Sequence, residues 1–110
     1  MSAEQTLTIY FRPAILPARR HAVENELRLA LGELFIDELG GGTMLDGSES
    51  DLTLLVADIE LGVPILRDAL RRLRVPRGTV IVQFEPETRQ WPVFDEPAPT
   101  NVEKKSKWKD

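Results

Sequence analysis

The order of two kinds of apolar spacing constrains the fold of this chain more than any other feature. Apolar residues at every second position predict strands, and apolar residues at 3.6-residue spacing predict helices. Along the sequence these segments follow one another as strand, helix, strand, strand, helix, strand. Elements in that order, each with one apolar face, pack as two layers. We therefore predict an α+β domain, a two-layer ferredoxin-like βαββαβ sandwich with an antiparallel sheet.

The first half of the chain predicts one strand and one long helix. Residues 7–12 alternate apolar and polar side chains, which is typical of a half-buried strand. Apolar residues at helical spacing then predict a helix over residues 18–39. We interpret the glycine run at residues 40–42 as the cap and hinge that ends this helix, because glycine adopts left-handed backbone without steric cost.

A hairpin is predicted over residues 43–57, with a short first arm at residues 43–45. The second arm, residues 52–57, is apolar at nearly every position and suits a central strand buried on both faces or against a partner. A sheet face that carries leucine, valine and isoleucine indicates coverage by another sheet, as in dimers of this fold.

A second helix is predicted to open at Gly62 and Pro64 and to end at Pro76. It is followed by a strand over residues 79–85. Residues 91–94 predict a short edge strand. This half of the sequence completes the predicted order of elements.

Length and composition indicate one domain. With 110 residues, of which 42% are hydrophobic, the chain is long enough for a single core. We assign the domain to residues 1–94. Residues 95–110, rich first in proline and then in lysine, are predicted to be a flexible C-terminal tail.

The absence of cysteine and the presence of a single histidine, His21, exclude several classes of site. These are disulfides, thiol nucleophiles, cysteine-ligated metals and histidine-rich metal centres. No apolar run approaches the ~20 residues that span a bilayer, and the first residues do not look like a secretory signal. We expect a soluble, cytoplasmic domain with no cofactor and no membrane partner.

The motifs that could carry chemistry favour a non-catalytic protein. Residues 40–42 lack the lysine of a phosphate loop and follow a predicted helix instead of a strand. Asp46, Glu49 and Asp51 favour a solvated turn over a metal site, because the spacing of a calcium loop is absent. The arm at residues 52–57 has no aromatic side chain on which a base could stack, so we expect no nucleic-acid partner.

Charge is distributed unevenly along the sequence. Residues 29–66 contain eight acidic residues and neither lysine nor arginine. We predict that this region forms an acidic surface that steers a basic protein partner. The candidate contact residues, chosen by charge, are Asp37, Glu38, Asp46, Glu49, Asp51, Asp58 and Glu60.

Residues 40–81, GGGTMLDGSESDLTLLVADIELGVPILRDALRRLRVPRGTVI, resemble small bacterial proteins of the immunity type. The shared pattern is a glycine-rich turn, a short strand, an acidic strand and a second helix that ends near Pro-x-Gly. Proteins of this type neutralise a toxin by binding it, so the resemblance implies a toxin inhibitor whose partner is a basic toxin or effector domain. The alternative is a small-ligand or metal-responsive regulatory domain that dimerises through its sheet.

Overall fold

Residues 5–94, the part of the chain that this computed structural model describes, form five strands and two helices. The strands are β1 (Gln5–Phe11), β2 (Phe35–Thr43), β3 (Ser50–Val56), β4 (Val80–Gln83) and β5 (Arg89–Pro92). The helices are α1 (Pro17–Leu31) and α2 (Ile59–Arg72), and a short 3₁₀ turn, Gly32–Leu34, joins α1 to β2. The predicted tail at residues 95–110 lies outside the described residues.

The strands form one sheet in the order β2-β3-β1-β4-β5, and every neighbouring pair is antiparallel. The predicted α+β class and antiparallel sheet are confirmed. The predicted edge strand is also present, as β5, and begins two residues before the predicted start. Within residues 5–94 no helix has the length and apolar character that crossing a bilayer requires.

The core lies between one face of the sheet and the two helices. Leu7, Ile9 and Phe11 of β1 are fully buried and alternate with partly exposed residues, as the sequence predicts for a half-covered strand. The same alternation runs along β3, where Leu55 on the opposite face is only half-buried. Among the described elements, therefore, only one face of β3 is covered.

The predicted helix over residues 18–39 is wrong in its second part. Helix α1 ends at Leu31, where Gly32 adopts a φ of 56° and donates its N–H to the carbonyl of Arg28. Glycine adopts this backbone conformation without the steric cost that a Cβ atom brings, so the helix stops there. The interpretation of residues 40–42 as a helix cap is consequently also wrong, since these glycines lie in strand β2.

The β2–β3 hairpin differs from the predicted one in its first arm, which has nine residues and precedes the predicted start. Helix α2 begins at Ile59, three residues before the predicted start. Asp58 caps it by accepting a hydrogen bond from the N–H of Leu61 at 3.1 Å. Pro64 therefore lies inside the helix, in its second turn, and does not open it.

Candidate functional site

Strand β2 is an edge strand, and within residues 5–94 it pairs with β3 alone. Its pairing is irregular in the first half, with register shifts between Phe35 and Asp37 and between Glu38 and Gly40. Bulges of this kind bend an edge strand and re-aim its side chains. The two residues at these shifts, Ile36 and Leu39, are exposed, Leu39 to 50%. The second half of β2, from Gly40 to Thr43, pairs with β3 in regular register.

The three consecutive glycines of β2 have different surroundings. A Cβ atom at Gly41 would lie 2.0 Å from a terminal nitrogen of Arg20 and 2.3 Å from the carbonyl oxygen of Asp51, so this position requires glycine. A Cβ atom at Gly42 would meet nothing within 4 Å. The same is true at Gly40, although its φ of +134° favours glycine. Internal packing therefore explains the glycine at position 41 but not the one at position 42.

The tip of the hairpin carries two large apolar side chains in solvent. Met44 is 56% exposed, and Leu45 is fully exposed. The turn beside them is held by Asp46, whose carboxylate accepts the N–H of Ser48 at 2.9 Å. Hydrogen bonds from the Ser48 hydroxyl and from its backbone N–H lower the pKa of Asp46 below its ordinary value.

Five of the seven candidate acidic residues belong to this hairpin. Asp37 is exposed, and its carboxylate accepts the backbone N–H of Glu38 at 2.8 Å. Glu49 pairs with Arg12 at 2.7 Å between Oε1 and Nε. Asp51 accepts the backbone N–H of Gly42 at 3.2 Å. Asp46 completes the group at the tip.

Asp58 and Glu60 lie elsewhere, at the N-terminus of α2. Asp58 is the helix cap, and Glu60 pairs with Arg89 at 3.1 Å. Between this end and the hairpin tip runs the length of β3, about 20 Å at the rise of an extended strand. Asp37 and Glu38 also lie towards this end of β3, because they pair with Leu55 and Leu54. The seven residues therefore do not form one continuous patch, and the five on the hairpin are spread along its length.

The hairpin is anchored to the β1–α1 loop. The N–H of Ala14 donates to the carbonyl of Gly47 at 3.1 Å, and the N–H of Ile15 donates to the hydroxyl of buried Ser50 at 3.2 Å. The Arg12–Glu49 ion pair joins the same two segments. These contacts hold the end of the hairpin in place while the outer edge of β2 and the apolar residues at the tip stay exposed.

Within residues 5–94 the acidic residues of the turn do not form a cluster that could hold a metal ion. Residues 5–94 contain no group of three or more His, Asp or Glu side chains that could hold a metal ion. Glu49 forms an ion pair with Arg12, and Asp51 accepts a hydrogen bond from a backbone N–H. In the described part of the chain the spacing of Asp46, Glu49 and Asp51 therefore serves the turn and its anchorage.

The sheet face opposite the helices is mixed, and the expectation of leucine, valine and isoleucine there is only partly right. At its centre the hydroxyls of Thr8 and Thr53 are 3.1 Å apart and hydrogen bonded. Towards β4 there is a shallow depression of about 350 Å³. Tyr10 and Phe84 meet there edge to face with ring centroids 6.5 Å apart.

Sequence reasoning found the acidic residues of the hairpin but missed its exposed apolar side chains. The latter are Ile36, Leu39, Met44 and Leu45. Two of them fell in the segment predicted as helix, where they would count as ordinary members of a helical pattern. Gly32 was the available signal, because a glycine directly after Leu31 is where a helix commonly ends.

Comparison of the chain with protein-family models, with curated proteins and with solved structures found no match. The relationship to immunity-type proteins therefore stays a hypothesis. The surface of the β2–β3 hairpin is the observation from which a function can be argued.

Proposed function

We propose that this chain is a non-catalytic protein-binding domain that recognises a basic protein through the β2–β3 hairpin. The observation that carries the proposal is the combination of exposed apolar side chains with exposed or partly exposed acidic side chains on one anchored hairpin. The apolar members are Ile36, Leu39, Met44 and Leu45, and the acidic members are Asp37, Glu38, Asp46, Glu49 and Asp51. Apolar residues contribute binding energy when a partner removes them from water, and charges around them steer the partner and set specificity.

The partner class that we propose is a toxin or effector domain, which makes this chain an immunity-type inhibitor. Residues 29–66 carry acidic residues and no basic ones, which fits a partner with a basic surface. An inhibitor of this kind needs no catalytic group of its own, because occupying the partner's surface is sufficient.

The fold we propose for the first four strands and two helices is ferredoxin-like. The strand order β2-β3-β1-β4, with each helix connecting two strands, supports this assignment. Strand β5 then extends the sheet beyond β4. Since this fold hosts many unrelated activities, it adds no weight to the proposed function.

The test compares three forms of the full chain as bait in lysate of the source cells, at low and at high salt. The forms are the unchanged chain, a hairpin variant and a matched control. The hairpin variant carries Asp37→Lys, Glu38→Lys and Asp46→Lys. The control carries Glu26→Lys, Asp68→Lys and Glu87→Lys, which produce the same change in net charge at exposed positions away from the hairpin.

We expect the unchanged chain and the control to retain the same basic protein at low salt. The hairpin variant should lose it. With the purified partner, the association rate should fall about tenfold or more in the hairpin variant at low salt, because rim charges act mainly on the rate of encounter. Equal retention by the hairpin variant and the control would refute the proposal. So would a dimer that forms through the sheet and retains no protein, which is the result expected of the regulatory-domain alternative.

A further inference from the structure

The outer edge of β2 has backbone groups in position to pair with another strand. At the end of the hairpin, Met44 donates its N–H to the carbonyl of Glu49 at 2.8 Å. Residues of an antiparallel pair alternate between positions that face the partner strand and positions that face away. The register from Gly40 to Thr43 is regular, so Gly42 faces β3, and the N–H and C=O groups of Gly41 and Thr43 point outward. An exposed edge of this kind can pair with another chain.

The glycines leave room beside this edge for side chains of a second strand. Gly40 and Gly42 pair with Thr53 and Asp51, so both lie on the open face of the sheet, where a Cβ atom would meet nothing within 4 Å. Glycine weakens a strand and often marks a place where another backbone approaches closely. The glycine at position 42, for which packing within the chain supplies no reason, fits such an approach.

The acidic side chains beside the outer edge of β2 favour a basic strand as its partner. Asp37 and Asp51 both lie on the open face and flank the two glycines along β2 and β3. A Lys or Arg side chain of an added strand would cover the glycines with its aliphatic stem and bring its charge to these carboxylates. A second copy of this chain would instead place carboxylates against carboxylates, which is unfavourable across paired strands.

We propose that the basic partner binds by adding an extended segment to the outer edge of β2 at Gly40, Gly41, Gly42 and Thr43. The segment carries Lys or Arg at alternate positions, directed to the open face over the glycines. This proposal rests on the proposed function of the hairpin and specifies how the partner is held: main-chain hydrogen bonds supply affinity, and the alternate cationic side chains supply selectivity.

The probe is a library of short random peptides, selected for binding to the full chain. We expect the selected peptides to carry Lys or Arg at every second position, with β-branched or aromatic residues between them. The best peptide is then synthesised with single N-methyl groups along its backbone. Removal of a donor that pairs with β2 should weaken binding about tenfold, and removal of one that faces away should not. The loss should therefore recur at every second residue.

Two variants of the protein test the same contact from the other side. Thr43→Pro removes an outward-facing N–H, which an edge strand tolerates, and should weaken peptide binding about tenfold. Thr43→Val keeps the N–H and should bind like the unchanged chain. Circular dichroism establishes that each variant is folded. The N-methyl scan uses the unchanged protein, so it decides the question even if Thr43→Pro does not fold.

Other outcomes separate this proposal from the proposed function. Peptides that lose affinity for the hairpin charge variant but show no two-residue period, or bind Thr43→Pro normally, would overturn strand addition and leave the acidic hairpin as the binding site. Selection of no peptides, or of peptides without basic residues, would count against both. A dimer of the chain alone that Thr43→Pro converts to a monomer would overturn the proposal and assign the edge to a second copy.

Discussion

Strands β2 and β3 are neighbours in one sheet, yet they differ in how strongly the core of the protein constrains them. Every second residue of β3 is buried, and its register with β1 is regular along its whole length. Strand β2 has no fully buried residue, two shifts of register and three consecutive glycines. The core therefore constrains β3, whereas little inside the chain constrains β2. A segment that the core leaves free can be specialised for contact with another molecule.

The largest difference should appear when a leucine is truncated in β3 and another at the hairpin tip that follows β2. Leu52 of β3 is fully buried, so Leu52→Ala should lower the free energy of unfolding by about 2–5 kcal/mol through lost burial and a cavity. Leu45 at the hairpin tip is fully exposed, and Leu45→Ala should change it by no more than about 0.5 kcal/mol. Urea denaturation measures both. A comparable loss in the two variants would mean that the hairpin tip contributes to the core.

Adjacent glycines of β2 sharpen the comparison within a single strand. Gly41→Ala forces a Cβ atom against Arg20 and the backbone of Asp51, so we expect a loss of about 1–3 kcal/mol in the free energy of unfolding. Gly42→Ala meets open space and should be neutral or stabilising by up to about 1 kcal/mol, since alanine restricts the unfolded chain. Thermal and urea unfolding of both variants measure the two changes in the free energy of unfolding. Equal destabilisation would show that Gly42, too, is required by the fold.

Asp58 and Glu60, the two candidate acidic residues outside the hairpin, should respond differently to loss of their charge. Asp58→Ala removes the cap of α2 and should cost about 1 kcal/mol of the free energy of unfolding. Glu60→Gln removes one partner of an exposed ion pair and should cost less than about 0.5 kcal/mol. Urea denaturation of both variants tests this. If Asp58→Ala left stability unchanged yet weakened partner binding, the role of Asp58 would be contact with the partner and not capping of α2.

The smallest effect concerns the turn between the strands. Hydrogen bonds from Ser48 lower the pKa of Asp46 in the folded protein below its ordinary value of 3.8. The stabilisation of the folded protein by these hydrogen bonds is therefore present above pH 3.8 and is lost as the pH falls through the lowered pKa of Asp46. Ser48→Ala removes the hydroxyl donor and should raise the pKa of Asp46 towards 3.8. NMR titration of the carboxyl carbon measures it, and an unchanged pKa would rule out the hydroxyl as its cause.

Sequence could predict the elements whose side chains alternate because the core requires it. Leu7, Ile9 and Phe11 identify β1 in this way. Strand β2 could not be predicted from such a pattern, because its burial follows no period and its conformation depends on pairing with β3, a cause that lies outside the segment. The apolar residues of α1 continue at helical spacing into residues 34 and 35, which extended the predicted helix beyond Gly32.

The start of α2 and the apolar part of the candidate site show two further limits. Pro64 favours the first turn of a helix, and this preference placed the predicted start too late, although Asp58 before an apolar run is itself a capping signal. Acidic residues could be chosen from charge alone. The exposure of Ile36 and Leu39 could not, because it follows from the edge position of β2 and the bulges within it.

The most direct test of binding at the β2–β3 hairpin is amide hydrogen exchange of the full chain, alone and with the basic partner. In the free chain the N–H groups of Gly41 and Thr43 should exchange quickly, and that of Gly42, which donates to Asp51, more slowly. Addition of the partner should slow Gly41 and Thr43 selectively. Protection elsewhere in residues 35–51, with Gly41 and Thr43 still exchanging quickly, would contradict strand addition alone. Protection confined to the helices or to β4 and β5 would contradict binding at this hairpin.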